Sequence, residues 1–265
     1  VSLFSNSDVA NFLSDRLAPI YSTYASAVTQ PSNAYLLLQL QAAEAEIARQ
    51  LKVYLEPTKL FPIPPTDAQI AALAGMPWDE EPGYDYDSSF FQGNRWGYLV
   101  LRHRPLISVD FMQFAYPAPT QAFYDIPASW MRLDKKPAHI NLVPAAGSFT
   151  APLSAFMLQA IGGGSRIPFM FQVQYTSGLT AVKTDPRWAD LLNLIYKKAA
   201  MLVVENFFLP QSQSISADGL SQSMGYDGQK HRDMINETLF GAKGSNAGIY
   251  TSIHGLQNTI AGGLV

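Results

Sequence analysis

The chain has 265 residues, 48% of them apolar and 15% charged, with 18 basic against 21 acidic side chains and a formal net charge of −3. That length can bury a sizeable core, in one large domain or in a helical domain carrying an insertion, and the absence of any run of Lys and Arg argues against a sequence-independent phosphate-binding surface. With no cysteine in the chain, disulfides and thiolate zinc sites are excluded as well.

Ser7 is placed to cap a first helix over residues 8–28, in which Val9, Phe12, Leu13, Leu17, Ile20 and Tyr24 recur at helical spacing and Pro19 introduces a kink. Ser32 or Asn33 caps a second helix whose Leu36, Leu40, Ala43, Ile47, Leu51 and Tyr54 step by three and four. The short link predicts an antiparallel pair, ended by Pro57, so that residues 1–56 form an N-terminal helical part. Val1 to Phe12 lacks a basic stretch leading into a long apolar one, and the best apolar run, Ala199–Val204, stops at Glu205. Neither a signal peptide nor a membrane span is expected.

Residues 57–96 dissolve into prolines, glycines and aromatics and predict an extended, irregular segment. Its aromatic content suggests that it lies against a partner, with Trp78, Tyr84, Tyr86, Phe90 and Phe91 as the contact residues. Residues 97–180 read as an antiparallel β insertion. Tyr98–Leu101 and Leu106–Val109 flank one turn, Trp130–Leu133 and His139–Val143 flank another, and a last strand covers Phe169–Tyr175.

Asp185 followed by Pro186 starts a third helix running to about Leu209, with Trp188, Leu191, Leu192, Ile195, Ala199, Leu202 and Val203 on its buried face. A Ser-rich loop from Gln211 to Gly225 precedes a last helix over Gln229–Phe240, and residues 181–241 are expected to pack on residues 1–56. Residues 242–265 read as a flexible tail or partner-binding arm anchored by Ile249, Tyr250, Ile253 and Leu256. The predicted fold is α+β: a helical bundle of two N-terminal and two C-terminal helices with an inserted antiparallel β module.

The residue types that carry chemistry are present without the spacing that chemistry needs. His103, His139, His231 and His254 are scattered, and no Gly-x-Ser-x-Gly turn occurs to expose a nucleophile. Gly162-Gly163-Gly164-Ser165-Arg166 lacks the Gly-Lys-Ser/Thr ending of a phosphate loop and precedes a strand, which favours a plain connection. Asp79, Glu80, Glu81, Asp85 and Asp87 offer oxygen ligands but not the spacing of a calcium loop, so a solvated or partner-facing acidic segment is the better reading. The turn at Asp218-Gly219 is read as local hydrogen bonding. No catalytic, cofactor-binding or metal-binding residue is nominated.

Five stretches, taken in order, resemble the head–tail connector and neck-adaptor proteins of tailed bacteriophages: Trp96–Val109, Ile126–Asp134, Ile140–Pro144, Val173–Gly178 and Ser214–Ser223. The resemblance covers roughly Leu36 to Phe240. It implies a non-enzymatic virion protein, assembled in the host cytoplasm without membrane contact and without a cofactor. It further implies a homo-oligomeric ring, dodecameric, beneath the portal protein and joined to the tail or a second neck protein. Genomic DNA would pass through the channel without sequence-specific contact. The long β insertion departs from the smallest members of that class and leaves the particular ring of the neck unspecified. Other structural roles are a tail terminator, a capsid-decorating protein, or a baseplate or receptor-binding protein using Phe90, Phe91 and Trp96. A virion-associated hydrolase would use paired carboxylates such as Asp79 and Glu80 with an aromatic cleft.

Overall fold

The computed structural model describes residues 2–18, 31–87, 89, 97–115, 122–143, 166–207, 212–217, 220–225, 228–242 and 248–254. They form an α+β fold with two compact units, one made of residues 1–52 and 181–252, the other of residues 53–180 and 253–265.

The first unit is helical. Ser5, rather than Ser7, caps α1 (Asn6–Phe12), its backbone N–H donating to the Asp8 carboxylate at 2.8 Å. The chain passes directly into a π-helical turn, Leu13–Leu17. The wider turn brings Phe12 and Leu17, five residues apart, towards one side, and both are fully buried. The expected kink at Pro19, with Ile20 and Tyr24, lies outside the described residues.

Helix α2 (Asn33–Leu51) is capped by Ser32, whose hydroxyl accepts from Tyr35 N–H at 3.3 Å, and it ends at Lys52 in the left-handed region. Leu36, Leu40, Ala43, Ile47 and Leu51 are all buried, as their spacing predicts. Near the start of α4 (Ala189–Phe207; α3 belongs to the second unit), Asp185 accepts from Arg187 N–H at 3.0 Å, and Pro186 opens a 3-10 turn. Leu191, Ile195, Ala199 and Val203 give α4 its buried face. Helix α4 packs on α2, where Lys198 Nζ lies 2.8 Å from Glu46, and on α5 (Gly228–Phe240), where Arg232 pairs with Glu205 at 2.8 Å.

Two expectations for the chain after residue 207 are corrected. The Ser-rich stretch is a β-hairpin, β10 (Ser212–Ala217) with β11 (Leu220–Gly225), paired from Ser212↔Gly225 to Ala217↔Leu220. The turn expected at Asp218-Gly219 lies outside the described residues. The expected flexible tail contains a short helix, α6 (Ile249–His254), with Ile249 and Ile253 buried.

The second unit holds two sheets over one core. In the larger, the order is β2-β1-β9-β5-β6, with β3 also pairing β9. The strands are β1 (Thr58–Phe61), β2 (Trp78–Glu80), β3 (Tyr84–Asp87), β5 (Leu106–Ala115), β6 (Ala122–Asp125) and β9 (Arg166–Ser177). The smaller sheet is β4 (Tyr98–Val100), β8 (His139–Leu142) and β7 (Met131–Asp134), in that order. Leu60, Met112, Val173 and Tyr175 from the larger sheet share a core with Leu99, Ile140 and Leu142 from the smaller.

Residues 57–87 are therefore not irregular. They supply three strands and a short helix, α3 (Asp67–Ala72), because β1 and β3 both find a partner in β9, which runs antiparallel to each. The sheet is mixed rather than purely antiparallel, since β1 and β2 pair in parallel. The expected hairpin of Tyr98–Leu101 with Leu106–Val109 does not form: β4 pairs β8, and β5 pairs β9 in the other sheet. The second expected hairpin does form, from Met131↔Leu142 to Asp134↔His139.

Candidate functional site

Among the described residues of the second unit, a dense polar cluster is built around Glu81, which is 3% exposed. Alternation along the chain after β2 turns Glu81 inward while Glu80 stays exposed, and Glu81 N–H donates to Phe61 O at 2.9 Å. The hydroxyls of Tyr84 on β3 and Tyr175 on β9 both donate to the Glu81 carboxylate. Arg102 Nη1 donates to it at 3.1 Å, and His103 Nε2 lies 3.5 Å away. Arg102 also donates to Pro82 O at 2.7 Å and Gly83 O at 3.2 Å, and its backbone N–H reaches the Tyr84 hydroxyl at 3.0 Å.

Burial, reinforced by the nearby Glu81 carboxyl, raises the Tyr84 phenol pKa well above its ordinary value. Tyr175 is raised further, by burial and then by its neighbours Tyr84 and Glu81. Both phenols therefore remain protonated donors, and the cluster works as a clamp joining the turn after β2, strands β3 and β9 and the connection from β4 to β5. Gly83 is required beside it, because a Cβ there would lie 2.8 Å from Phe171 O and 2.9 Å from Phe169 O.

Three of the other acids in this segment are partnered locally, and Glu80 is exposed. Asp79 accepts from the Tyr54 hydroxyl at 2.9 Å, Asp85 pairs with Arg166, and Asp87 accepts from Ser89 N–H at 2.8 Å. Among the described residues no group of three or more His, Asp or Glu side chains is placed to hold a metal ion. Asp79 and Glu80 are consecutive in β2 and project to opposite faces, an arrangement unsuited to paired-carboxylate hydrolysis. His139 is buried against the ring of Tyr98, 4.9 Å between centroids, and burial followed by the charge of Arg104 lowers its pKa.

The nominated contact residues divide. Trp78 is 40% exposed on β2, beside Met76 at 38%. Tyr84 is taken up by the clamp, and Tyr86 packs against the core of the unit. Ile249 and Ile253 are buried, and Tyr250 meets the Phe240 ring at 5.8 Å. Phe90, Phe91, Trp96 and Leu256 lie outside the described residues, as does the Gly162–Ser165 connection. Two features escaped sequence reasoning. One is the Glu81 clamp, for which the only local signal is a doubled Glu beside aromatics. The other is Phe169, 51% exposed with φ of +54°.

No protein-family profile matches the chain, and no curated protein matches it. Among solved structures, the chain is similar to one in the neck of an empty GTA particle computed with C6 symmetry, at 17% identity and a TM-score of 0.39, covering 89% of this chain and 92% of that one. It is also similar to a chain in the virion of a native gene transfer agent particle, at 15% identity and a TM-score of 0.34, covering 78% of each.

Proposed function

We propose that the chain is a non-catalytic subunit of a phage neck, assembling into a ring that connects the portal to the tail around the DNA channel. The observation that carries this reading is where the five resembling stretches fall. Trp96–Val109 contains β4 and the start of β5, Ile126–Asp134 leads through β7, and Ile140–Pro144 contains most of β8. Val173–Gly178 contains the end of β9, and Ser214–Ser223 lies in the β10–β11 hairpin. The resembling stretches fall on strands and so support a shared scaffold, and Arg102 of the first stretch ties that scaffold to Glu81, which lies outside all five. A ring of identical subunits needs two different, complementary faces on each copy.

The test is the mass of the purified protein by light scattering, alone and mixed with its portal protein, followed by imaging. A closed ring, formed alone or only on portal, is the expected result. A chain that stays monomeric in both conditions would overturn the reading.

A further inference from the structure

Among the described residues, the second unit ends one sheet at β2 and the other at β7. In the parallel β1–β2 pair, Pro77 O and Glu81 N–H face β1, so alternation turns the backbone groups of Trp78 and Glu80 outward. In the smaller sheet, Leu142 N–H and Ala138 O face β4. The partners Arg132↔Asn141 and Asp134↔His139 therefore hold the β7–β8 ladder, and the backbone of Leu133 faces away from it. Each edge carries exposed apolar side chains at the same place: Met76 and Trp78 on one, Leu133 at 38% on the other.

Their charges are opposite. The first edge presents exposed Asp79 and Glu80; the hairpin presents exposed Arg132, Lys135 and Lys136 against a single exposed acid, Asp134. Like edges repel, β2 against β2 and hairpin against hairpin, while unlike edges attract. Asp79 Oδ1 already accepts the Glu80 N–H at 2.9 Å, which blocks a full strand ladder and leaves recognition mainly to side chains.

We propose that β2 of one copy docks on the β7–β8 hairpin of the next, with Asp79 and Glu80 facing Arg132, Lys135 and Lys136, and Trp78 and Met76 covering Leu133. The contact is head-to-tail, as ring closure demands, and the proposal rests on the ring reading above.

Two exposed double variants test it, Asp79→Lys with Glu80→Lys on β2, and Lys135→Glu with Lys136→Glu on the hairpin. Light scattering is run under whichever condition, alone or on portal, gives the wild-type ring. Each variant by itself is expected to fall to single-chain mass, and an equimolar mixture is expected to return to ring mass, because every contact in an alternating ring is again acid against base. The rescue also shows that both variants are folded. Rings from both variants alone, or monomers that mixing does not rescue while their thermal melts match wild type, would overturn the edge contact and leave the ring reading standing. If mixing fails and a melt shows unfolding, the milder Glu80→Lys and Lys136→Glu variants decide in the same way. A wild-type chain that is monomeric alone and on portal would overturn the ring reading and this contact together.

Discussion

The guanidinium of Arg102 lies 4.2 Å from the centre of the Tyr84 ring and donates to the Glu81 carboxylate that the Tyr84 hydroxyl also reaches. Cation, ring and carboxylate thus hold one another in place at the point where the chain passes from one sheet to the other.

Removing the shared acceptor leaves two buried phenols and a guanidinium without it. Glu81→Ala is expected to lower stability by about 3 kcal/mol or more, read as a shift in the urea midpoint. Arg102→Lys is expected to lose part of this, since an ammonium lacks the fork that reaches the carboxylate and the carbonyls of Pro82 and Gly83 together. A wild-type midpoint for Glu81→Ala would remove the clamp from the account of stability.

Alkaline pH tests the same residues. The folded pKa values of Tyr84 and Tyr175 lie above the unfolded value, so above roughly pH 10 the unfolded chain loses protons that the folded chain retains. Their contribution is full below that pH and lost as pH rises. Stability is expected to fall through this range, and tyrosinate absorbance should show a fraction of the 13 tyrosines that ionises only as the protein unfolds. Complete ionisation before unfolding would contradict the burial of the pair.

His139 gives the opposite slope. Its folded pKa is depressed by burial and by Arg104, so the contribution is present above the unfolded value near about 6.5 and is lost as pH falls. Histidine NMR titration should place His139 below that value, and urea midpoints should drop between neutral pH and pH 5. A titration at or above the ordinary value would refute the assignment.

At Gly83 the obstacle is the backbone of β9, which cannot rotate aside as a side chain would. Gly83→Ala is expected to cost about 2 kcal/mol, within the range for overpacking, because β3 and β9 must separate. Phe169 supplies the contrasting case. It is exposed and has a positive φ, so Phe169→Gly is expected to leave thermal stability unchanged or raise it slightly, by up to about 1 kcal/mol. A strongly destabilised Phe169→Gly would mean that the ring is needed for folding.

The helices were legible because their information is local. Leu36, Leu40, Ala43, Ile47 and Leu51 carry the buried stripe of α2 within one segment, and Ser32 and Asp185 mark where helical turns begin. The strands of residues 57–87 were not, because β1 and β3 are four residues each and take their partner from beyond residue 165. A run so short has too little alternation to announce itself. The same distance hid the clamp: Glu81 and Tyr84 are close in sequence, whereas Tyr175 reaches them only through the pairing of β9. Sequence also joined β4 to β5 across their turn, where the fold sends the two strands to different sheets.

The position of β9 has a consequence for synthesis. Strands β1, β3 and β5 all pair with residues 166–177, and residues 1–52 belong to a unit completed by residues 181–252. A nascent chain halted before residue 166 holds neither unit whole, so both assemble late on the ribosome through contacts of high sequence separation, and the early strands must stay soluble until their central partner emerges.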